Sequence, residues 1–240
     1  MKTNGWDVEI DDLSYTYPDG NQGLSGVSLR ISSGESVAIL GPNGAGKSTL
    51  LLALPGLIFG TGSITVGGIR LTQRSVRDVR KRVGIVFQNP DDQLFCPTVY
   101  DDIAFGPKNM GLPDGEVNRR VTAALVAIGL TGYEARSSHH LSAGEKRRAS
   151  IATILAMDPR IVAFDEPSAN LDPEGVKDLK KVIKSIRKTK IIVTHDVFLA
   201  REVATRGVVM RSGTIIEDMP MESLASNKKR LRELKLLFSS

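Results

Sequence analysis

Apolar residues along this chain fall into short runs and alternations at both ends and into helical spacing in the middle. Near the start, the pattern predicts strands at Val8–Ile10, Leu13–Tyr17 and Val27–Ile31, and a buried strand at Ser36–Leu40. A helix is expected after Ser48, then strands at Ser63–Val66 and Val83–Phe87. From about Asn89 to Met157 the spacing becomes helical, with Val117–Ile128 the clearest helix. Strands return at Ile161–Phe164, Lys190–Thr194 and Val208–Met210, and a helix is expected over Gly175–Arg187. Leu231, Leu234 and Phe238 recur at near-helical spacing, which predicts an amphipathic helix at about 227–238, docked on the body or on a partner. The expectation is one α/β domain over residues 1–240, with a helical insert at about 89–157. No repeat or low-complexity tract interrupts it.

Between the Ser36–Leu40 strand and the following helix stand Gly41, Pro42, Asn43, Gly44, Ala45, Gly46, Lys47 and Ser48, with Thr49 next. This is the P-loop spacing in the strand–turn–helix context that the motif needs. Glycines let successive N–H groups turn inward onto phosphate oxygens, and the helix start adds partial positive charge. Lys47 supplies charge for the β- and γ-phosphates, and Ser48 a hydroxyl for Mg²⁺. Asp165 ends the Ile161–Phe164 strand and is a second candidate metal ligand. Glu166 follows; strand alternation would turn it to the other side, as suits a base orienting an attacking water. Leu141-Ser142-Ala143-Gly144-Glu145 holds the capping-box spacing Ser142…Glu145, and the helix start with Gly144 is a second surface for phosphate.

With these stretches in order, the chain resembles the nucleotide-binding subunits of ATP-binding cassette (ABC) transporters from about Val8 to Asp218. Gln88 matches that family's Q-loop glutamine, Leu141–Glu145 its signature, and Ser168–Asp172 its D-loop. His195 matches the switch histidine, and Tyr17 the aromatic residue that stacks on adenine, with Tyr15 as the alternative. The resemblance implies a P-loop NTPase core of ABC type, with an N-terminal antiparallel β region and a helical subdomain carrying the signature. It implies catalytic roles for Glu166, His195 and Gln88, and metal contacts from Ser48, Gln88 and Asp165. Nucleotide contacts would come from Tyr17, from Gly41 to Thr49, and from Ser142 and Gly144 of a second chain, because the cassettes meet head to tail around ATP. Two signature positions depart from the family: Ala143 for glycine and Glu145 for glutamine. A methyl at Ala143 would cost on the order of 1 kcal/mol if the backbone needed a positive φ.

Residues 87–107 narrow the resemblance to the ATPases of energy-coupling-factor importers and of cobalt and nickel uptake systems. The implied partners are a second ATPase subunit, identical or not, a transmembrane coupling protein and a solute-capture membrane subunit. ATP and Mg²⁺ are the implied ligands, and the cytoplasmic face of the cell membrane the implied place. Leu94, Phe95, Val99 and Phe105, read as an apolar set rimmed by Asp91, Asp92, Asp101 and Asp102, suit a basic amphipathic helix from such a partner. The alternatives are another type of ABC transporter, a soluble ABC ATPase of DNA repair or translation, and a nucleotide switch. No heptad pattern parts the two nucleotide motifs, which counts against the repair type, and Glu166 counts against a switch.

Composition adds limits. Of 240 residues, 41 % are hydrophobic, as in ordinary globular chains, and no apolar stretch reaches the ~20 residues of a membrane span. No signal-peptide pattern is visible at Met1–Asp7, and the single cysteine, Cys96, fits a reducing compartment. The net charge of +5 gathers at Arg70–Arg82 and Lys228–Lys235. Such runs read more simply as solvated faces than as nucleic-acid contacts, and no nucleic-acid partner is expected.

Overall fold

The computed structural model describes residues 5–234 and 236. Along the chain run β1 (Trp6–Thr16), β2 (Gln22–Ser32), β3 (Ser36–Leu40), α1 (Lys47–Ala53), β4 (Thr61–Val66), β5 (Ile69–Arg70), α2 (Val76–Arg80) and β6 (Val83–Val86). Then come α3 (Val99–Asn109), α4 (Asp114–Ala127), α5 (Ala143–Ala156), β7 (Ile161–Asp165), α6 (Pro173–Ser185) and β8 (Thr189–Thr194). The chain continues through α7 (Val197–Val203), β9 (Arg206–Arg211), β10 (Thr214–Pro220), α8 (Met221–Ser226) and α9 (Lys228–Glu233). It forms two compact units. One gathers the chain up to Val83, Arg160–Glu166, and everything from Lys188 onward; the other gathers Gly84–Pro159 and Pro167–Arg187.

The first unit carries an antiparallel sheet in the order β2-β1-β4-β5. β1 is one strand where the sequence pattern suggests two. Its register against β2 slips between Ile10 and Leu13, and Asp12 takes a left-handed φ of 49° there. This bulge breaks the alternation without ending the strand. The other sheet runs β10-β9-β3-β8-β7 within this unit. β3, β7 and β8 pair in parallel and are buried almost throughout, so their apolar runs are continuous rather than alternating. The register sets Leu40 beside Thr194, and Asp165 beside Val193. The residues that follow these strands therefore emerge at one carboxyl edge, where open parallel sheets bind ligands. Asp7 is 1 % exposed, and its carboxylate accepts from the Thr189 hydroxyl and the Arg160 guanidinium. It thereby ties the first strand of the chain to β8 and to the entry of β7.

In the second unit α5 packs against α3, α4 and α6, burying Ile103, Val117, Val121, Leu125, Ile151 and Leu179. α6 starts with Pro173 behind an Asp172 cap that accepts from Gly175 N at 2.7 Å. At the chain's end, α9 stops at Glu233, short of the expected position 238, and Leu236 is not helical. Leu231, Leu234 and Leu236 are all buried, so this segment packs on its own unit; Phe238 lies outside the described residues. No helix among the described residues is long and apolar enough to cross a membrane.

Candidate functional site

The P-loop turn is shaped by backbone crowding. Gly41 has φ 152°, and a Cβ there would lie 2.3 Å from the Met210 carbonyl oxygen. Gly46, the residue before α1, has φ 96°, and its Cβ would lie 2.5 Å from the Gly23 oxygen. A side chain at either position would force the turn open. No side chain caps α1. Inside the turn, Lys47 is only 6 % exposed, and its Nζ donates to the Gly41 and Pro42 carbonyls at 2.8 and 3.0 Å. Burial pulls its pKa below the usual lysine range, while Glu166 and Asp165 push it back up. The amine is thus a desolvated cation curled onto two carbonyls.

The carboxylates close around it. Ser48 Oγ donates to Asp165 Oδ1 at 3.2 Å, which joins a hydroxyl and a strand-end carboxylate across 117 positions. Hard oxygens of this kind suit Mg²⁺, which keeps several waters and substrate phosphates among its ligands. No cluster of three His, Cys, Asp or Glu side chains able to hold a metal occurs among the described residues.

Glu166 reaches its place by a route other than strand alternation. β7 ends at Asp165, and Glu166 has a left-handed φ of 43° with its N–H bonded to the Val193 carbonyl at 2.8 Å. A non-glycine residue held there is strained, a condition that gathers at functional sites. Its Oε1 lies 4.0 Å from Lys47 Nζ, and its Oε2 lies 3.0 Å from Nδ1 of His195 and accepts from the His195 N–H at 3.3 Å. Glu166 is almost buried, whereas the His195 side chain is 59 % exposed. Tyr17 is half-buried; its hydroxyl shares a hydrogen bond of 2.8 Å with Thr49 Oγ1 in α1, and its ring meets Tyr15 edge-on at 5.0 Å.

Gln88, Ser142 and Gly144 belong to the second unit. The capping box is complete: Ser142 Oγ accepts from Glu145 N at 3.3 Å, and Glu145 Oε2 accepts from Ser142 N at 2.8 Å. The Tyr133 hydroxyl donates to Glu145 Oε1 at 2.8 Å. The Ser142 N–H, first, and the Tyr133 hydroxyl lower the Glu145 pKa against the effect of burial. Glu145 therefore keeps its charge turned back onto the backbone. Ala143 opens α5 without a left-handed φ, so the strain considered for its methyl does not arise.

The acidic segment differs from its sequence reading. Leu94 and Val99 are buried in the unit's own core, and Asp102 is 3 % exposed. Asp102 Oδ1 accepts from the N–H groups of Phe95 and Cys96, so it shapes the turn and rims nothing. Phe95 and Phe105 alone of the apolar set stay exposed, edge-to-face at 5.0 Å. Two residues that sequence reasoning passed over are Gln93 and the buried Arg147, which hold the backbone around Gln88. A hint existed in Arg147, a long cation two positions before the apolar stripe that begins at Ala149.

A buried amine resting on carbonyls that a phosphate can replace, flanked by a hydroxyl–carboxylate pair and a strained second acid, defines a P-loop nucleoside triphosphatase. Comparison with known proteins makes the class particular. The ABC transporter family model matches residues 24–169, and the chain belongs to that family. The energy-coupling factor transporter ATP-binding protein EcfA of Methanothermobacter thermautotrophicus is 47 % identical over 222 residues, 90 % of this chain and 71 % of that protein. The solved structure of cbiO1 from Clostridium perfringens, part of the ABC transporter complex cbiONQ, superposes with a TM-score of 0.86 at 35 % identity, over 97 % of this chain and 96 % of that one. The ATP-binding cassette MJ0796, in a dimeric post-hydrolysis state bound to ADP and Pi, gives a TM-score of 0.78 at 27 % identity, over 89 % of this chain and 98 % of that one. The chain is thus an ABC ATPase, the ATP-hydrolysing kind of subunit in a transporter.

Proposed function

We propose that this ATPase energises an importer of the energy-coupling-factor type, taking up a transition-metal ion such as cobalt or nickel, or a vitamin. The observation that carries the chemistry is Glu166, strained, nearly buried, and held between Lys47 and His195. In this reading the Lys47 amine leaves the Gly41 and Pro42 carbonyls for the β- and γ-phosphates of ATP. Ser48 and Asp165 would hold Mg²⁺, which would neutralise phosphate charge. Glu166 takes the hydrogen bond of the attacking water and orients it, while the His195 Nδ1–H keeps the carboxylate aimed. Tyr17 stacks on the adenine, and Gln88 answers to the γ-phosphate. Both compact units act as one ATP-binding domain. Two chains, identical or paired with a second ATPase, meet head to tail, so that Ser142 and Gly144 of each serve the other's nucleotide.

The importer subtype is supported by the similarity to EcfA and to cbiO1 of the cbiONQ complex. A transmembrane coupling protein and a solute-capture subunit would complete the assembly, with this chain at the cytoplasmic face of the membrane. Phe95 and Phe105 are the exposed apolar spot that such a membrane partner would cover. Glu166→Gln tests the mechanism: hydrolysis should fall by roughly 10²-fold or more, while MgATP binding persists and ATP traps a dimer in gel filtration. Turnover retained in this variant removes Glu166 as the base. Stimulation of the wild type by DNA or ribosomes, with no membrane protein co-purifying, removes the importer reading.

A further inference from the structure

Two backbone carbonyls beyond the end of β6 have an unusual partner. Phe87 and Gln88 follow Val86, the last strand residue, and lie outside any ladder. Arg147, a residue of α5 that is 1 % exposed, donates from Nη1 to Phe87 O at 2.6 Å and from Nη2 to Gln88 O. Gln93 fixes the same stretch from the other side. Its Oε1 accepts from Phe87 N at 3.2 Å, and its Nε2 donates to Ser150 O at 2.8 Å and to Thr153 Oγ1 at 2.7 Å. Ser150 and Thr153 lie on α5 beyond Arg147. A third, more exposed tie joins Lys146 Nζ to Asp91 Oδ1 at 2.7 Å.

The chemistry is matched to the task. A guanidinium presents a rigid planar fork whose separate nitrogens each meet one of the two successive carbonyls, whereas the single nitrogen of an ammonium on a flexible stem fixes them less firmly. A primary amide offers an acceptor and two donors at once, and Gln93 uses both kinds. The segment carrying Gln88 is therefore fastened to α5 at successive points along the helix that begins just after Ser142. The Gln88 side chain itself stays exposed and free to meet a ligand.

We infer that Gln93 and Arg147 are positioning residues that make the Gln88 segment and the signature helix one mechanical piece, so that the state of one nucleotide is felt at the other. The inference rests on the head-to-tail reading. There, a chain's Gln88 answers to its own nucleotide and its Ser142 to its partner's. A rigid connection between the two then becomes a physical route for coupling, with a nameable set of contacts to cut.

The test uses the full chain with its second ATPase subunit, if it has one, and measures hydrolysis against MgATP concentration for wild type, Gln93→Leu and Arg147→Lys. Gln93→Leu removes three hydrogen bonds without touching a ligand. Arg147→Lys keeps the buried charge, loses the fork, and guards against a folding defect in the first variant. Thermal melts and single-site MgATP affinity are recorded alongside. The expected result is a Hill coefficient that falls from about 2 toward about 1 in both variants. ATP affinity should stay within about twofold, with kcat lowered. Variants that keep the wild-type Hill coefficient and kcat overturn the inference and leave the head-to-tail reading intact. A wild type that shows neither cooperativity nor an ATP-dependent dimer overturns both.

Discussion

The chain has two helix-starting turns rich in small residues, one before α1 and one before α5, and they are built on opposite principles. The turn before α1 is made by glycines in conformations that crowding forbids to other residues, and no side chain caps its helix. No side chain takes up the first N–H groups of its helix, and the Lys47 amine rests on the Gly41 and Pro42 carbonyls. The turn before α5 has ordinary backbone angles and answers its own needs, Ser142 and Glu145 each satisfying the other's N–H. One is a preformed cradle; the other is a closed helix start that offers a hydroxyl and the few amides the box leaves over. A nucleotide that needs both would thus be bound by the first and only completed by the second.

Lys47→Ala breaks the contrast most severely. MgATP affinity should fall on the order of 100-fold, as when one partner of a buried charge contact is cut away. Calorimetry checks this, and an unchanged affinity would strip the first turn of its role. Glu145→Ala opens the second turn, and should cost stability of about 1 kcal/mol by urea unfolding, with little effect on the affinity of a single chain for ATP.

The depressed pKa of Lys47 gives a smaller effect of known sign. Because burial favours the neutral amine in the free chain, part of the population is unprotonated at alkaline pH. Phosphate binds the ammonium form, so binding should take up a proton, and affinity should decline as pH rises through the amine's lowered range. In the free chain the sign is opposite: the unfolded state holds that proton more tightly, so stability should rise with pH over the same window. Calorimetry in buffers of different ionisation enthalpy reads the proton directly. The smallest change is expected for Ala143→Gly. With no left-handed φ to relieve, it should not strengthen ATP-driven dimerisation, and should cost at most about 1 kcal/mol of helix stability.

How far these turns could be read in advance follows their construction. The P-loop is local: its strand, glycines, lysine and helix are consecutive, so spacing alone carried the geometry. The capping box is local too, and Ser142 and Glu145 behave as their spacing predicts. The sequence reading fails where a distant residue sets the conformation. Glu166 owes its φ to a bond with Val193, which no strand alternation foretells. Asp102 looks like a surface acid until the amides of Phe95 and Cys96 turn back on it. Gln93 and Arg147 acquire meaning only when α5 folds against a segment some sixty residues earlier. The spacing of Leu231, Leu234 and Phe238 extends the last helix to 238, but α9 ends at Glu233 and Leu236 is no longer helical.

The parallel pairing of β3 has a consequence for how the protein is made. Its neighbours are β8 and β9, which end at Thr194 and Arg211. On a ribosome the strand that leads into the P-loop is therefore born without partners, and must wait while most of the remaining chain is synthesised, on the order of ten seconds. Asp7 waits equally long for Thr189 and Arg160. Through that interval the nascent chain carries the phosphate-binding sequence, but not the sheet that gives the sequence its shape.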